Sequence, residues 1–146
     1  MIRIYLFHPM IVHFTIALFL FSVLMDFLGS ILKKDSFHVA SWYSLITSGI
    51  AVIFTVIAGT IAESMVKVSP AAHDILEIHE KISFSVLTII LALTIWRIAL
   101  KGKMPAKGRT LFFAISIIGV IALTIGGYFG GELVYTYGVA VKAVTP

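Results

Sequence analysis

Four apolar runs, roughly residues 10–32, 39–62, 82–100 and 111–129, decide what this chain can become. Each is close to the roughly 20 residues that cross about 30 Å of hydrocarbon at about 1.5 Å per residue. Lipid offers the backbone no hydrogen bonds, so each run must satisfy its own amides and carbonyls as a helix. The expected helices cover about 9–32, 39–63, 70–100 and 109–130, within a single integral membrane domain spanning 1–146. Short connections make sequential helices antiparallel neighbours. The fold class is therefore an all-α membrane protein, an up-down bundle of four transmembrane helices. No internal repeat relates the first helix pair to the second in the sequence.

Composition removes the alternatives. The chain is 60% hydrophobic and 12% charged, with a mean hydropathy of +1.07. A soluble domain is about half apolar and about a quarter charged. A core of this size could not absorb the surplus, because small domains leave much of their surface in water. Disorder needs the opposite balance. With no cysteine, disulfides, thiolate zinc sites, cysteine-ligated clusters and covalent c-type haem are excluded. Any cofactor must be held by His, carboxylate, Tyr, Met or backbone. The first run follows a single Arg3 and precedes no small-residue cleavage site, so it is expected to remain as a spanning helix.

Charge sets the expected orientation. The loops after the first and third helices carry Lys33, Lys34, Arg97, Lys101, Lys103, Lys107 and Arg109, with only Asp26 and Asp35 as acids. The opposite side has Arg3, Lys67, Lys81 and Lys142 against Glu63, Asp74, Glu77, Glu80 and Glu132. The positive-inside rule then puts the basic loops in the cytoplasm. Both termini and the histidine-rich side become extracytoplasmic, in a multi-pass plasma (inner) membrane protein. The net +4 is accounted for by topology, and no folded domain remains to present a nucleic-acid surface.

Histidines carry the candidate chemistry. His8, His13, His73 and His79 fall on the outer side, and His38 reads as interfacial on the other. An ionisable residue near membrane depth is costly without a partner and marks a candidate site. Ser69 and Pro70 suit an N-cap and first turn, which starts the third helix outside the hydrocarbon. On that helix His73, Glu77 and Glu80 share one stripe, read either as a solvated face or as a carboxylate-rich metal site. His79 lies on another face with Ala72, Leu76, Ser83, Val86 and Ile90, which resembles a bundle interior. On the first helix His13 shares a face with Met10, Ile16, Ala17 and Leu20. His8 heads a sparse polar line through Thr15, Ser22 and Asp26. Asp26 needs a cation, with Lys33, Lys34 and Arg97 as the candidates.

Inward histidines on two helices at similar depth suit a metal held between them, and His13 with His79 is the expected pair. Haem b is the first candidate, since bis-imidazole ligation needs no cysteine. A small-residue stripe on the second helix (Ser44, Ser48, Ala51, Thr55, Ala58, Ala62) leaves room for a macrocycle or simply lets helices pack closely. The alternative is a divalent transition metal bound by His8, His13, His73, His79 and carboxylates. Four glycines within 126–131 let the backbone approach another helix or a cofactor, or end the span. Tyr128, Tyr135 and Tyr137 suit an interfacial aromatic belt, and Glu132 suits orienting an imidazole.

The opening His8-Pro9-Met10-Ile11-Val12-His13-Phe14, the pair His79-Glu80, and the closing Gly130-Gly131-Glu132-Leu133-Val134-Tyr135 with Gly138-Val139 resemble a family. It is that of four-helix prokaryotic membrane proteins catalogued as domain of unknown function 2231. The resemblance covers essentially the whole chain, with Thr15 standing where the family has a proline. It implies the four-span fold and a shared site of His8, His13, His79, Glu132 and Tyr135. It implies no activity. The residues themselves point to a small b-type cytochrome-like protein with axial His13 and His79, and with His8 and Glu132 in support. Its expected partners are the lipid bilayer, the quinone pool and an outer-face redox protein, either as a homo-oligomer or as a subunit of a larger membrane complex. The rivals are a transition-metal binding or transport module and a cofactor-free structural subunit. No nucleophile motif supports a hydrolase.

Overall fold

The computed structural model describes residues 4–103 and 106–141. A single 3-10 turn, Ile4–Leu6, leads into α1 (Phe7–Leu32), followed by α2 (Asp35–Met65), α3 (Pro70–Ala99) and α4 (Arg109–Tyr135). All four are long and apolar enough to cross a membrane. Arg3 and Lys142 of the outer-side charge count lie outside the described residues.

Local chemistry sets the breaks. Lys33 adopts the left-handed conformation (φ 53°) and returns its N–H to the Gly29 carbonyl, which stops α1. Asp35 then sits in the first turn of α2, where the helix dipole favours an acid. Pro70 opens α3, and the Ser69 backbone carbonyl accepts the Ala72 N–H at 3.0 Å. The Ser69 hydroxyl makes no cap bond. Gly108 (φ 88°) turns the chain into α4, a conformation that disfavours any side chain. The glycines at 126–131 do not end that helix, which runs on to Tyr135.

The helices pair as two hairpins, α1 on α2 and α3 on α4, with the hairpin–hairpin contact the looser one. Phe19, Leu45, Val52, Val86, Ile90, Leu93, Phe112 and Leu123 form the core. Outside, Phe14, Phe27, Ile50, Phe54, Ile95 and Ile118 stand exposed around the bundle, an apolar belt that suits hydrocarbon and would aggregate in water. The α1–α2 seam is stitched by hydroxyls. Thr15 Oγ1 meets Thr55 Oγ1 at 2.8 Å, Ser22 Oγ donates to the Ser41 carbonyl at 3.1 Å, and Ser48 Oγ reaches the Thr15 carbonyl at 3.4 Å. Such bonds glue helices where lipid gives no hydrophobic drive. Between the hairpins, Gly119 lets α4 close on the core: a β-carbon there would stand 2.8 Å from Ile89 and 3.0 Å from Phe19. Gly119→Leu is expected to cost about 1–3 kcal/mol by overpacking. A thermal melt in detergent checks it, and an unchanged midpoint would mean that the interface has slack.

The two hairpins bury corresponding positions. α1 buries Thr15, Phe19, Ser22 and Asp26; α3 buries Val86, Ile90, Leu93 and Arg97, each 71 positions later (15 to 86). The same offset carries Ser41, Leu45, Ser48, Val52 and Thr55 of α2 onto Phe112, Ser116, Gly119, Leu123 and Gly126 of α4. The sequence shows no repeat relating the hairpins, which differ at almost every residue, yet these buried positions share one register.

Candidate functional site

At the end of the bundle where α1 and α3 begin, His8 and His79 face one another, ring centroids 6.4 Å apart and planes perpendicular. Both are half-buried. The His8 Nδ1 lies 3.0 Å from the Thr55 carbonyl oxygen on α2, and the His79 Nδ1 lies 2.9 Å from the Gly126 carbonyl oxygen on α4. A carbonyl only accepts, so each neutral ring carries its proton on Nδ1 and keeps the Nε2 lone pair. This is the arrangement in which backbone fixes an imidazole as a metal ligand. Each ring also lies against a glycine. A β-carbon at Gly59 would stand 3.0 Å from His8 Nδ1, and one at Gly130 would stand 3.1 Å from His79 Cε1.

The fold does not bring His13 into this pair. His13 is exposed on the outer face of α1, its Nδ1 bonded to the Pro9 carbonyl one turn earlier. It lies five residues from His8, which places it on a different side of the helix. His8, at the head of the buried line Thr15, Ser22, Asp26, is the histidine of α1 that meets His79. His73 is exposed. Tyr135 is 90% exposed, and with Glu132, Tyr128 and the glycines at 127 and 131 it lines an open groove of about 380 Å³ on α4. That groove includes neither histidine. The expected stripe on α3 divides: Glu77 pairs with Lys81 at 2.6 Å, while Glu80 turns toward Glu63. Glu80 precedes the apolar run that begins at Ile82, and the Glu63 carboxyl, then burial, push it up to about 7.

The donor set tests the cofactor readings. Among the described residues no three His, Asp or Glu side chains gather around one metal position. A bare divalent ion needs four or more donors. Two imidazoles with lone pairs on Nε2 are as many donors as haem asks of a protein.

A second polar cluster, at the opposite end, was only half foreseen. Asp26 accepts from Arg97 Nη1 at 2.6 Å and from His38 Nδ1 at 2.9 Å. Arg97 also donates to the Gly102 and His38 carbonyls. Of the three candidate cations, Arg97 is the one chosen, and His38 is a partner of the buried acid rather than a merely interfacial residue. A polar residue about a turn and a half inside a helix end was the signal for Asp26; nothing in the sequence marked His38.

A family model described as predicted membrane protein (DUF2231) matches residues 6–143, and the chain belongs to that family. No curated protein and no solved structure matches it.

Proposed function

We propose that this membrane protein is a small b-type cytochrome-like electron carrier in which His8 and His79 would hold one haem b. The observation that carries the reading is the pair itself: two facing imidazoles, each anchored through Nδ1 to a backbone carbonyl so that Nε2 keeps its lone pair, with no cluster of three His, Asp or Glu side chains among the described residues. Their separation supports it. With ring centroids 6.4 Å apart, the two imidazoles are near enough that one group could be held by both. When bound, haem would supply one-electron chemistry. The chain's part is to hold the imidazoles, through the Thr55 and Gly126 carbonyls, and to seat them against Gly59 and Gly130.

Sidedness follows from charge. With Lys33, Lys34, Lys101, Lys103 and Lys107 at the opposite end, the positive-inside rule puts the histidine pair at the outer face of the plasma membrane. There it would exchange electrons between the quinone pool and an outer-face redox partner. Detergent-purified protein made with haem supplied is expected to give a b-type reduced-minus-oxidised spectrum. That spectrum should vanish in His8→Ala and in His79→Ala and persist in His13→Ala. A colourless protein sinks the reading, and a spectrum lost only in His13→Ala would move ligation to the exposed histidine.

A further inference from the structure

We infer that the chain is a duplicated α-hairpin whose pseudo-twofold axis runs between His8 and His79, so that the ligand of this site presents two equivalent faces, one to each hairpin. The choice of ligand rests on the cytochrome reading; the duplication stands without it.

The hydrogen bonds carry the argument. His8 reaches a carbonyl 47 residues ahead, and so does His79. Four residues beyond each carbonyl, one helical turn on, comes the glycine that the ring lies against, Gly59 in one hairpin and Gly130 in the other. The offset between the two arrangements is 71 (8 to 79), the same that superposes most of the buried positions of both helix pairs, Gly29, Gly49, Thr94 and Leu133 excepted. Two independently evolved hairpins have no reason to agree in the register of each helix and in the partner of each histidine.

Contacts between equivalent positions locate the axis. In a twofold assembly a residue touches its own counterpart only at the axis. Among the described residues His8 meets His79 at one end, and Asp26 meets Arg97 at the other. The axis therefore runs along the bundle, and α1 and α3 travel the same way beside it. This is the parallel kind of repeat, with its axis along the membrane normal.

What the halves have kept and lost points to the ligand. The buried stripe has changed at every step, Thr15 to Val86, Phe19 to Ile90, Ser22 to Leu93. At Asp26 and Arg97 identity was untenable, since two like charges buried face to face repel; the linked halves were free to become complementary there. Apart from scattered apolar identities such as Ile50-Ala51 with Ile121-Ala122, what both halves keep is the histidine and its glycine slot. A ligand with one preferred face would not need that. A flat macrocycle with one axial position on each face does.

Two experiments test this on the whole chain. A circular permutant runs 68–146 and then 1–67, joined directly or through a short Gly/Ser linker. Six described residues follow α4 and three precede α1, against the four (66–69) between α2 and α3, so the new join has length to spare. At least one permutant is expected to melt within a few degrees of the natural order; failure of both overturns the duplication. In the natural order, His8→Ala and His79→Ala are expected to weaken haem binding by factors within about threefold of each other. A disparity above about tenfold overturns the equivalence of the two faces. If the natural chain takes up no haem at all, the cytochrome reading fails, and the permutants alone decide the duplication.

Discussion

Arg97→Ala is expected to cost about 3–5 kcal/mol, the usual effect of stripping one partner from a buried ion pair, and to leave little folded protein in detergent. Arg97 is 0% exposed and Asp26 is 1% exposed. The guanidinium is 2.6 Å from the Asp26 carboxylate and 2.8 Å from the Gly102 carbonyl, and it lies 5.8 Å from the Trp42 ring and 5.7 Å from the Phe112 ring. One side chain thus ties α1, α2, α4 and the α3–α4 loop. Gly102 makes the loop's contribution feasible: at φ 79° its backbone tucks under Trp42, where a β-carbon would stand 2.7 Å from the indole nitrogen. Without Arg97 the buried carboxylate keeps only His38. Removing both charges is a different matter. The double variant Asp26→Leu with Arg97→Met is expected to melt near the natural protein or above it, because well-packed apolar replacements of a buried pair are often neutral or stabilising. Thermal melts of the single and double variants settle this, and a single variant within about 1 kcal/mol of the natural protein would mean that water reaches the cluster.

Gly59→Val and Gly130→Val carry the second large effect. Each branched side chain would start from a β-carbon already about 3 Å from an imidazole, so the ring must swing off its carbonyl or the helices must part. Overpacking costs about 1–3 kcal/mol, and displacing a ligand's hydrogen-bond support typically weakens binding by about 10–100-fold. Haem titration of the two variants measures this. Gly127→Val is the control, because a β-carbon at Gly127 meets nothing within 4 Å. If Gly59→Val and Gly130→Val bind haem as the natural chain does while Gly127→Val does not, the pocket lies on the outer face of α4 instead.

Much of the fold was legible because lipid leaves so few choices: four apolar runs can only be helices, and short loops make them neighbours. Asp26 announced itself as a charge in need of a partner. The identity of the inward histidine on α1 was also written in the sequence, in the line from His8 through Thr15 and Ser22 to Asp26. It was outweighed by the apolar neighbours of His13, which in a membrane mark a lipid face as readily as a core. The duplication was not legible at all. Its signature lies in which positions are buried and in which carbonyl each ring meets, and neither survives as residue identity when Thr15 becomes Val86 and Ser41 becomes Phe112. His38 was missed because its bond to Asp26 crosses from α2 to α1.

The apolar surface of α1 reaches farther than its polar cluster. Phe27, Ile31 and Leu32 stand exposed beyond Asp26, while Asp26 and Arg97 are themselves sealed inside the bundle. Locked to one another, those two charges cannot snorkel toward water. The membrane thickness that suits the protein is therefore set by its outward apolar residues and not by its buried charges. A change in lipid length would tilt the bundle or compress the lipid, at a cost of a fraction of a kcal/mol for each ångström of mismatch, without drawing the ion pair into the acyl chains.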